Sequence, residues 1–262
     1  MTVTQKDVEK YYDKHSVGKL SDFVYGNGRI ETAWKTILEW GGTPQRILEV
    51  GCGVGAISWR MATMWPDASV CGIDASEESI RLATDLFSQI NLSYEQQYLV
   101  EESTCVNGKF DLIVLMDVYE HIALSDRLAL HTSLKRFLSE TGRVVLTFPT
   151  PRHLEDLRQN HPQEIQPVDE DVTPESTLQL ASDLECEVLM YKEVGVWRFG
   201  DYAHAVIGHW DGWQGVVQKD KSSGWTERLW RTHASSDRSG KRAYPSQKQR
   251  MAMVRAVTNQ EV

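Results

Sequence analysis

No stretch of the 262-residue sequence approaches the ~18 to 20 consecutive apolar residues that a bilayer-crossing helix requires, so no membrane-embedded segment is expected. There is no CxxC and no cysteine–histidine pair at zinc-ligand spacing. The four cysteines, Cys52, Cys71, Cys105 and Cys186, are scattered. That argues against a disulfide framework and leaves buried free thiols as the expectation. The opening MTVTQKDVEKYYDK is polar and charged and does not read as a signal peptide, and the cytoplasm is the expected location. Internal repeats and low-complexity tracts are absent. Over most of the chain a basic surface is lacking too. Net charge is −9, and residues 209–262 carry ten Lys/Arg against five Asp/Glu, so the remainder stands at −14. Phosphate backbones require basic surfaces, and nucleic acid is therefore not a favoured partner.

What is present is an ordinary globular composition, 41% hydrophobic and 25% charged, with a regular alternation of strand and helix signals. Residues 4–15 read as a helix with Val8, Tyr11 and Tyr12 on one side. After Gly26-Asn27-Gly28, a second helical period runs from Ile30 to Trp40 and closes on Gly41-Gly42. Strands are expected at 46–50 (RILEV), 68–73, 93–99, 110–116 (FDLIVLM) and 143–148 (RVVLTF). Helices are expected between them at 56–64, 76–89 (with Ser76 as N-cap) and 125–139. This order points to an α/β fold with a parallel sheet covered by helices on both faces. A polar, proline-containing connection follows to about Thr173, then a helix at 174–184. Two strands come last, 187–197 and 202–207, joined closely enough to form an antiparallel hairpin at the sheet edge.

Between the first strand and its helix lies Glu49-Val50-Gly51-Cys52-Gly53-Val54-Gly55-Ala56. Three glycines permit positive φ and close approach of a ligand to the backbone. Asp74 ends the second strand 23 residues after Gly51, where a carboxylate accepts both hydroxyls of a ribose. GCGVGA also satisfies the dinucleotide fingerprint. Glu49 argues against that use, because a carboxylate beside the turn opposes a pyrophosphate and suits a cationic amino acid group instead.

These residues, with Gly72-Ile73-Asp74 and the run Phe110 to Ile122 (FDLIVLMDVYEHI), resemble class I S-adenosylmethionine-dependent methyltransferases over residues 46–207. The resemblance implies a Rossmann-like, seven-stranded, mostly parallel sheet whose last strand is antiparallel. It implies S-adenosyl-L-methionine as cofactor, with Glu49, Gly51, Gly53 and Gly55 around its methionine part. Asp74 would hold the ribose, Ala75 or Ser76 would lie near the ring, and Asp117 would lie beside the methionine amino group. An acid after the third strand commonly faces the adenine; here it is Glu101, Glu102 or absent. Tyr11 and Tyr12 resemble the tyrosine pair of a lid helix, and Tyr12 is taken as a cofactor cover.

Methyl transfer chiefly needs alignment, plus a base where the nucleophile carries a proton. His121, just beyond the fourth strand, is the leading candidate; a structural turn is the alternative for the Glu120-His121 pair. His153, in the connection after the fifth strand, is the second candidate. The acids at 169–171 are either an acceptor site or a solvated face. No metal is expected, because the Asp-Asn pair of catechol-type members is absent after the fourth strand.

The expected activity is methylation of O or N, oxygen favoured, on a small polar metabolite such as a sugar-linked or specialised natural product. Two rivals stay open: a methyltransferase of RNA or protein using the basic tail, and a nicotinamide-dependent oxidoreductase. The expected organisation is a helical lid at 1–45, the cofactor domain at 46–208, and a Trp-containing basic extension at 209–262. An oligomer is compatible with this reading, and the sequence does not set the oligomeric state.

Overall fold

The computed structural model describes residues 5–98, 101–210 and 244–258. Its strands are β1 (Arg46–Val50), β2 (Ser69–Asp74), β3 (Leu92–Gln96), β4 (Phe110–Met116), β5 (Leu138–Pro149), β6 (Glu187–Val194) and β7 (Tyr202–Gly208). The helices are α1 (Gln5–Tyr25), α2 (Gly28–Trp40), α3 (Ala56–Met64), α4 (Glu77–Leu86), α5 (Arg127–Phe137), α6 (Pro151–Asn160), α7 (Pro174–Asp183) and α8 (Gln247–Thr258). The strands form one sheet in the order β3-β2-β1-β4-β5-β7-β6. Pairing is parallel from β3 to β5, whereas β7 runs antiparallel to both β5 and β6. The expected hairpin is therefore present, with β7 slotted inside the sheet and β6 on the edge.

Alternation along the strands builds a core on each face. Leu48, Val50, Ile113, Leu115, Val144 and Leu146 pack with Leu130, Leu134 and Phe137 of α5 and with Leu180 of α7. Ile47, Val70, Leu112, Val114 and Val145 face the other way, onto Trp34 and Ile37 of α2 and Ile57 and Met61 of α3. A third cluster joins α1 (Leu20, Phe23, Val24), α4 (Leu82, Leu86) and Val254 of α8. The full burial of these side chains supplies the bulk of the folding drive, at ~1.5 to 3 kcal/mol each.

Local chemistry sets the helix starts. Asn27 caps α2 through Arg29 N–H, Ser76 caps α4 through Ser79 N–H, and Thr173 forms a reciprocal capping box with Ser176 at α7. The polar, proline-containing connection after β5 contains α6, capped by Thr150 with Pro151 in its first turn.

The expectation of free thiols is corrected at one pair. Cys71 on β2 and Cys105 in the loop after β3 form a disulfide with a Cα–Cα distance of 5.8 Å, while Cys52 and Cys186 are free. Parallel pairing sets Cys71 beside Ser93 of β3, and the loop after β3 returns Cys105 to that position, its sulfur 3.3 Å from the Ser93 hydroxyl, although 34 residues separate the two cysteines. Among the described residues, no helix is long and apolar enough to cross a membrane, and no cluster of His, Cys, Asp and Glu has metal-holding geometry. Most of the basic extension lies outside the described residues; its described end, α8, packs on α1 and α4.

Candidate active site

The glycine turn sits where β1 ends. Gly51, Gly53 and Gly55 adopt φ of 71°, 53° and 82°, a left-handed region costly for residues bearing a Cβ. A Cβ on Gly51 would fall 2.3 Å from Cγ2 of Val118, and one on Gly55 would fall 2.6 Å from the Tyr94 hydroxyl. The Gly53 position is open, with Lys19 the nearest side chain at 3.9 Å. The turn is tied to β2 by two bonds: Cys52 N–H donates to the Ile73 carbonyl at 2.9 Å, and Gly53 N–H donates to Asp74 Oδ2 at 2.8 Å. The second Asp74 oxygen accepts Ser76 N–H at 2.9 Å. Each carboxylate oxygen has two lone pairs, so this leaves acceptor capacity for two hydroxyls.

Glu49 lies beneath the turn and is 1% exposed. Burial pushes its carboxyl up to about 8, against the hydrogen bond from Ser58 and with further upward pressure from Asp74. Gly72 leaves room for this arrangement, since a Cβ there would fall 2.7 Å from the Ser58 oxygen.

Helix α1 closes the site from above. The Tyr12 hydroxyl donates to Gln166 Oε1 at 2.9 Å, and the ammonium of Lys19 stands 4.6 Å from the centre of the Tyr12 ring. Farther along, Ser16 bonds to Ser79 at 2.9 Å, and Ser76 donates to Asp13 at 2.6 Å. Helix α1 is thus seated on the N-terminus of α4, next to Asp74.

Beyond β4 the chain turns sharply. Asp117 takes φ of 54°, which Asp tolerates better than most residues. Its buried carboxylate pairs with Arg29 at 2.5 Å and accepts from Thr147 at 3.2 Å. The short 3-10 turn Tyr119–His121 follows. Glu120 is buried, and one of its oxygens has no hydrogen-bond partner; desolvation holds its carboxyl well above the usual range. His121 Nδ1 lies 2.8 Å from the Val168 carbonyl and 2.9 Å from Asp169 Oδ1, with Nε2 3.7 Å from Glu120 Oε1. Burial works against charge on this ring, but Glu120, Asp169 and the Val168 carbonyl outweigh it and the net shift is upward.

A cavity runs through these groups. Tyr12, Gly51, Asp74, Ala75, Asp117 and His121 all line it. Glu49 lies below its floor, Gly53 and Gly55 shape the turn, and Ser76 caps α4. Glu101 is on the surface, its N–H donating to Gln97, and Gln97 and Tyr98 line the cavity at that end instead. His153 is outside the lining; its ring lies 5.7 Å from Tyr202 and 6.2 Å from Trp197, in a small aromatic group. Val118 and Ile122, within the run FDLIVLMDVYEHI, also line the cavity; Lys19 lines it too, and neither Lys19 nor Arg29 beside the cavity is signalled in the sequence. Lys19 falls four residues past His15 on the face of Tyr12, a helical spacing that places it in the site once α1 is seen to continue to Tyr25.

Residues 25–204 match the family described as a methyltransferase domain. Among curated proteins, the ubiquinone biosynthesis O-methyltransferase of Bartonella tribocorum is 38% identical over 79 residues, covering 30% of this chain and 31% of that protein. The protein of the same name from Actinobacillus pleuropneumoniae is 32% identical over 112 residues, 40% of this chain and 45% of that one. The chain thus matches less than half the length of these relatives. Among solved structures, magnesium protoporphyrin IX methyltransferase from Synechocystis PCC 6803 with bound SAH superposes with a TM-score of 0.62 at 18% identity, covering 79% of this chain and 100% of that one. A SAM-dependent methyltransferase from Anabaena variabilis gives a TM-score of 0.61 at 16% identity, covering 80% and 96%. Those likenesses are of fold. The match over 25–204 goes further, and the chain belongs to the methyltransferase-domain family, the class I S-adenosylmethionine-dependent methyltransferases.

Proposed function

We propose that this protein transfers the methyl group of S-adenosylmethionine to a hydroxyl oxygen of a small polar metabolite, with sugar-linked and specialised natural products the first classes to test. The observation that carries the reading is one continuous cavity with Gly51 and Asp74 at its walls and His121 among its lining residues. A ribose and a proton-bearing acceptor are served from the same space. The relatives named as O-methyltransferases support oxygen over nitrogen.

The residues present fit the cofactor. Asp74 keeps two free lone pairs for a ribose, and the bare Cα of Gly53 leaves the turn open to a ligand. Lys19 sets positive charge over the turn, where the carboxylate of a methionine group is best accommodated. Asp117, paired with Arg29, lends negative potential to the side expected to meet the methionine ammonium. Gln97 and Tyr98 bound the end assigned to the adenine. Bound there, S-adenosylmethionine supplies a methyl group already activated on a sulfonium. The protein then has to hold an acceptor oxygen in line with it, exclude water under Tyr12, and receive a proton at His121 Nε2.

The test is calorimetric titration with S-adenosylhomocysteine, followed by incubation of metabolite pools with methyl-labelled donor and a search for a 14-dalton gain. Binding of NADH in place of S-adenosylhomocysteine would overturn the reading, and label appearing only on RNA or protein would move the acceptor to another class.

A further inference from the structure

The candidate base has a partner that the glycine-turn resemblance does not assign. His121 Nδ1 faces two groups that only accept, the Val168 carbonyl at 2.8 Å and the Asp169 carboxylate at 2.9 Å. Nδ1 must therefore carry hydrogen, and in the neutral ring the lone pair belongs to Nε2. Glu120 Oε1 stands 3.7 Å from Nε2, beyond hydrogen-bond reach, and the ring borders the cavity.

Asp169 is itself held in place. Its side chain is 6% exposed, and Oδ2 accepts the Gln166 N–H at 2.8 Å. Arg158 donates to the Asp169 carbonyl at 2.9 Å, and Glu170 N–H donates to the Glu120 carbonyl at 2.9 Å. Gln166, at the other end of the turn, receives the hydroxyl of Tyr12. One turn after α6 therefore grips the base on one side and the lid on the other.

We propose that Asp169 is a positioning residue acting through His121: it fixes Nδ1–H so that Nε2 accepts the acceptor's proton, and it holds the imidazolium that results. This rests on the methyltransferase reading with His121 as base. In the step, the acceptor oxygen bonds to the methyl carbon, the carbon–sulfur pair stays on sulfur, and the hydroxyl proton passes to Nε2 and later to water. The charged or titratable groups facing the ring are Asp169, Glu120, Asp117 and Tyr12. Of these, Asp169 alone brings a charged oxygen within 3 Å of a ring nitrogen, as an ion-pair contact of 2.9 Å beside the Val168 carbonyl that accepts from Nδ1.

The experiment is ring-nitrogen NMR of histidine-labelled full chain saturated with S-adenosylhomocysteine. Asp169→Asn is expected to lower the His121 titration by ~1 unit, the effect of removing an adjacent opposite charge. Asp169→Glu should restore at least half of that shift, and Asp169→Ser should reproduce the loss should the Asn variant not fold. On an acceptor found in the metabolite screen, kcat should fall ~10-fold or more with KM within twofold. An unmoved His121 titration in folded Asp169→Asn overturns the proposal alone. A loss confined to KM does the same by making Asp169 a binding group. Failure of the wild-type chain to bind S-adenosylhomocysteine sinks the underlying reading as well.

Discussion

Gly53 donates its backbone N–H to Asp74 at 2.8 Å, so the carboxylate that closes β2 also anchors the turn that closes β1. Losing Asp74 removes acceptors for a ribose and slackens the glycine turn together. Asp74→Ala is expected to weaken S-adenosylhomocysteine binding by ~1 to 3 kcal/mol, or about 5- to 150-fold in Kd. Calorimetry decides it, and an unchanged Kd removes the ribose assignment.

The three glycines are not equivalent. Alanine at 51 meets both an unfavourable φ and the Val118 side chain, which lines the cavity. Alanine at 53 meets the φ penalty but no atom closer than 3.9 Å. Left-handed strain costs on the order of 1 to 2 kcal/mol at either position, so Gly51→Ala should show the larger loss of Tm and of cofactor affinity. Equal losses in melting and titration would mean that the close approach to Val118 is unimportant.

Glu49 links pH to stability. Its carboxyl is raised from an ordinary 4.5 to about 8 by burial. A raised acid binds its proton more tightly when folded, so its contribution is fully present below pH 4.5 and fades as pH climbs through 8. Glu49→Gln removes that loss, and its Tm relative to wild type should rise steadily from pH 5 to 8. Glu120 is shifted in the same direction and keeps part of the slope in the variant. A Tm difference flat across this window contradicts a protonated, buried Glu49.

His121 must be neutral to accept a proton. Its titration is displaced upward from 6.5, so turnover should fall with decreasing pH along a limb lying above 6.5. His121→Ala should lose ~100-fold or more in turnover with cofactor binding retained. Near-normal turnover returns Glu120-His121 to a purely structural turn.

Much of this arrangement is legible in the sequence because it is local. RILEV, the glycine spacing and Asp74 sit on consecutive strands, and the hydrophobic alternation that pairs those strands also aligns the residues. What escapes is contributed by distant segments. Asp169 reads as one acid among three until α6 and the turn after it fold back over the 3-10 turn. Arg29, one residue ahead of the second helical period, carries no signal until Asp117, buried and in need of a cation, meets it at 2.5 Å. The start of α6 was readable in principle, since Thr150-Pro151 is a good cap followed by a proline in the first turn; the surrounding prolines and acids concealed it. Helix α1 runs on to Tyr25, beyond the end at His15 expected from the sequence, and Gly18 sits within it where an added Cβ would meet no other side chain within 4 Å.

The Cys71–Cys105 bond bears on the same end of the molecule. Cys71 lies three residues before Asp74 on β2, and the loop bearing Cys105 follows the cavity-lining Gln97 and Tyr98. Closing a 34-residue loop in the unfolded chain stabilises the folded one by ~3 to 4 kcal/mol in the chain-entropy account. A reductant should therefore lower the Tm of the wild-type protein, and Cys105→Ser should show the lower Tm with no response to reductant. Hydrogen bonds from Ser103 and Cys105 N–H to Glu95 also tether this loop, so it keeps part of its shape without the bond. Intact mass under non-reducing conditions checks the premise directly, since the oxidised chain is lighter by two hydrogens. Four alkylatable thiols in the purified, unreduced protein would return Cys71 and Cys105 to the free, buried state expected from composition.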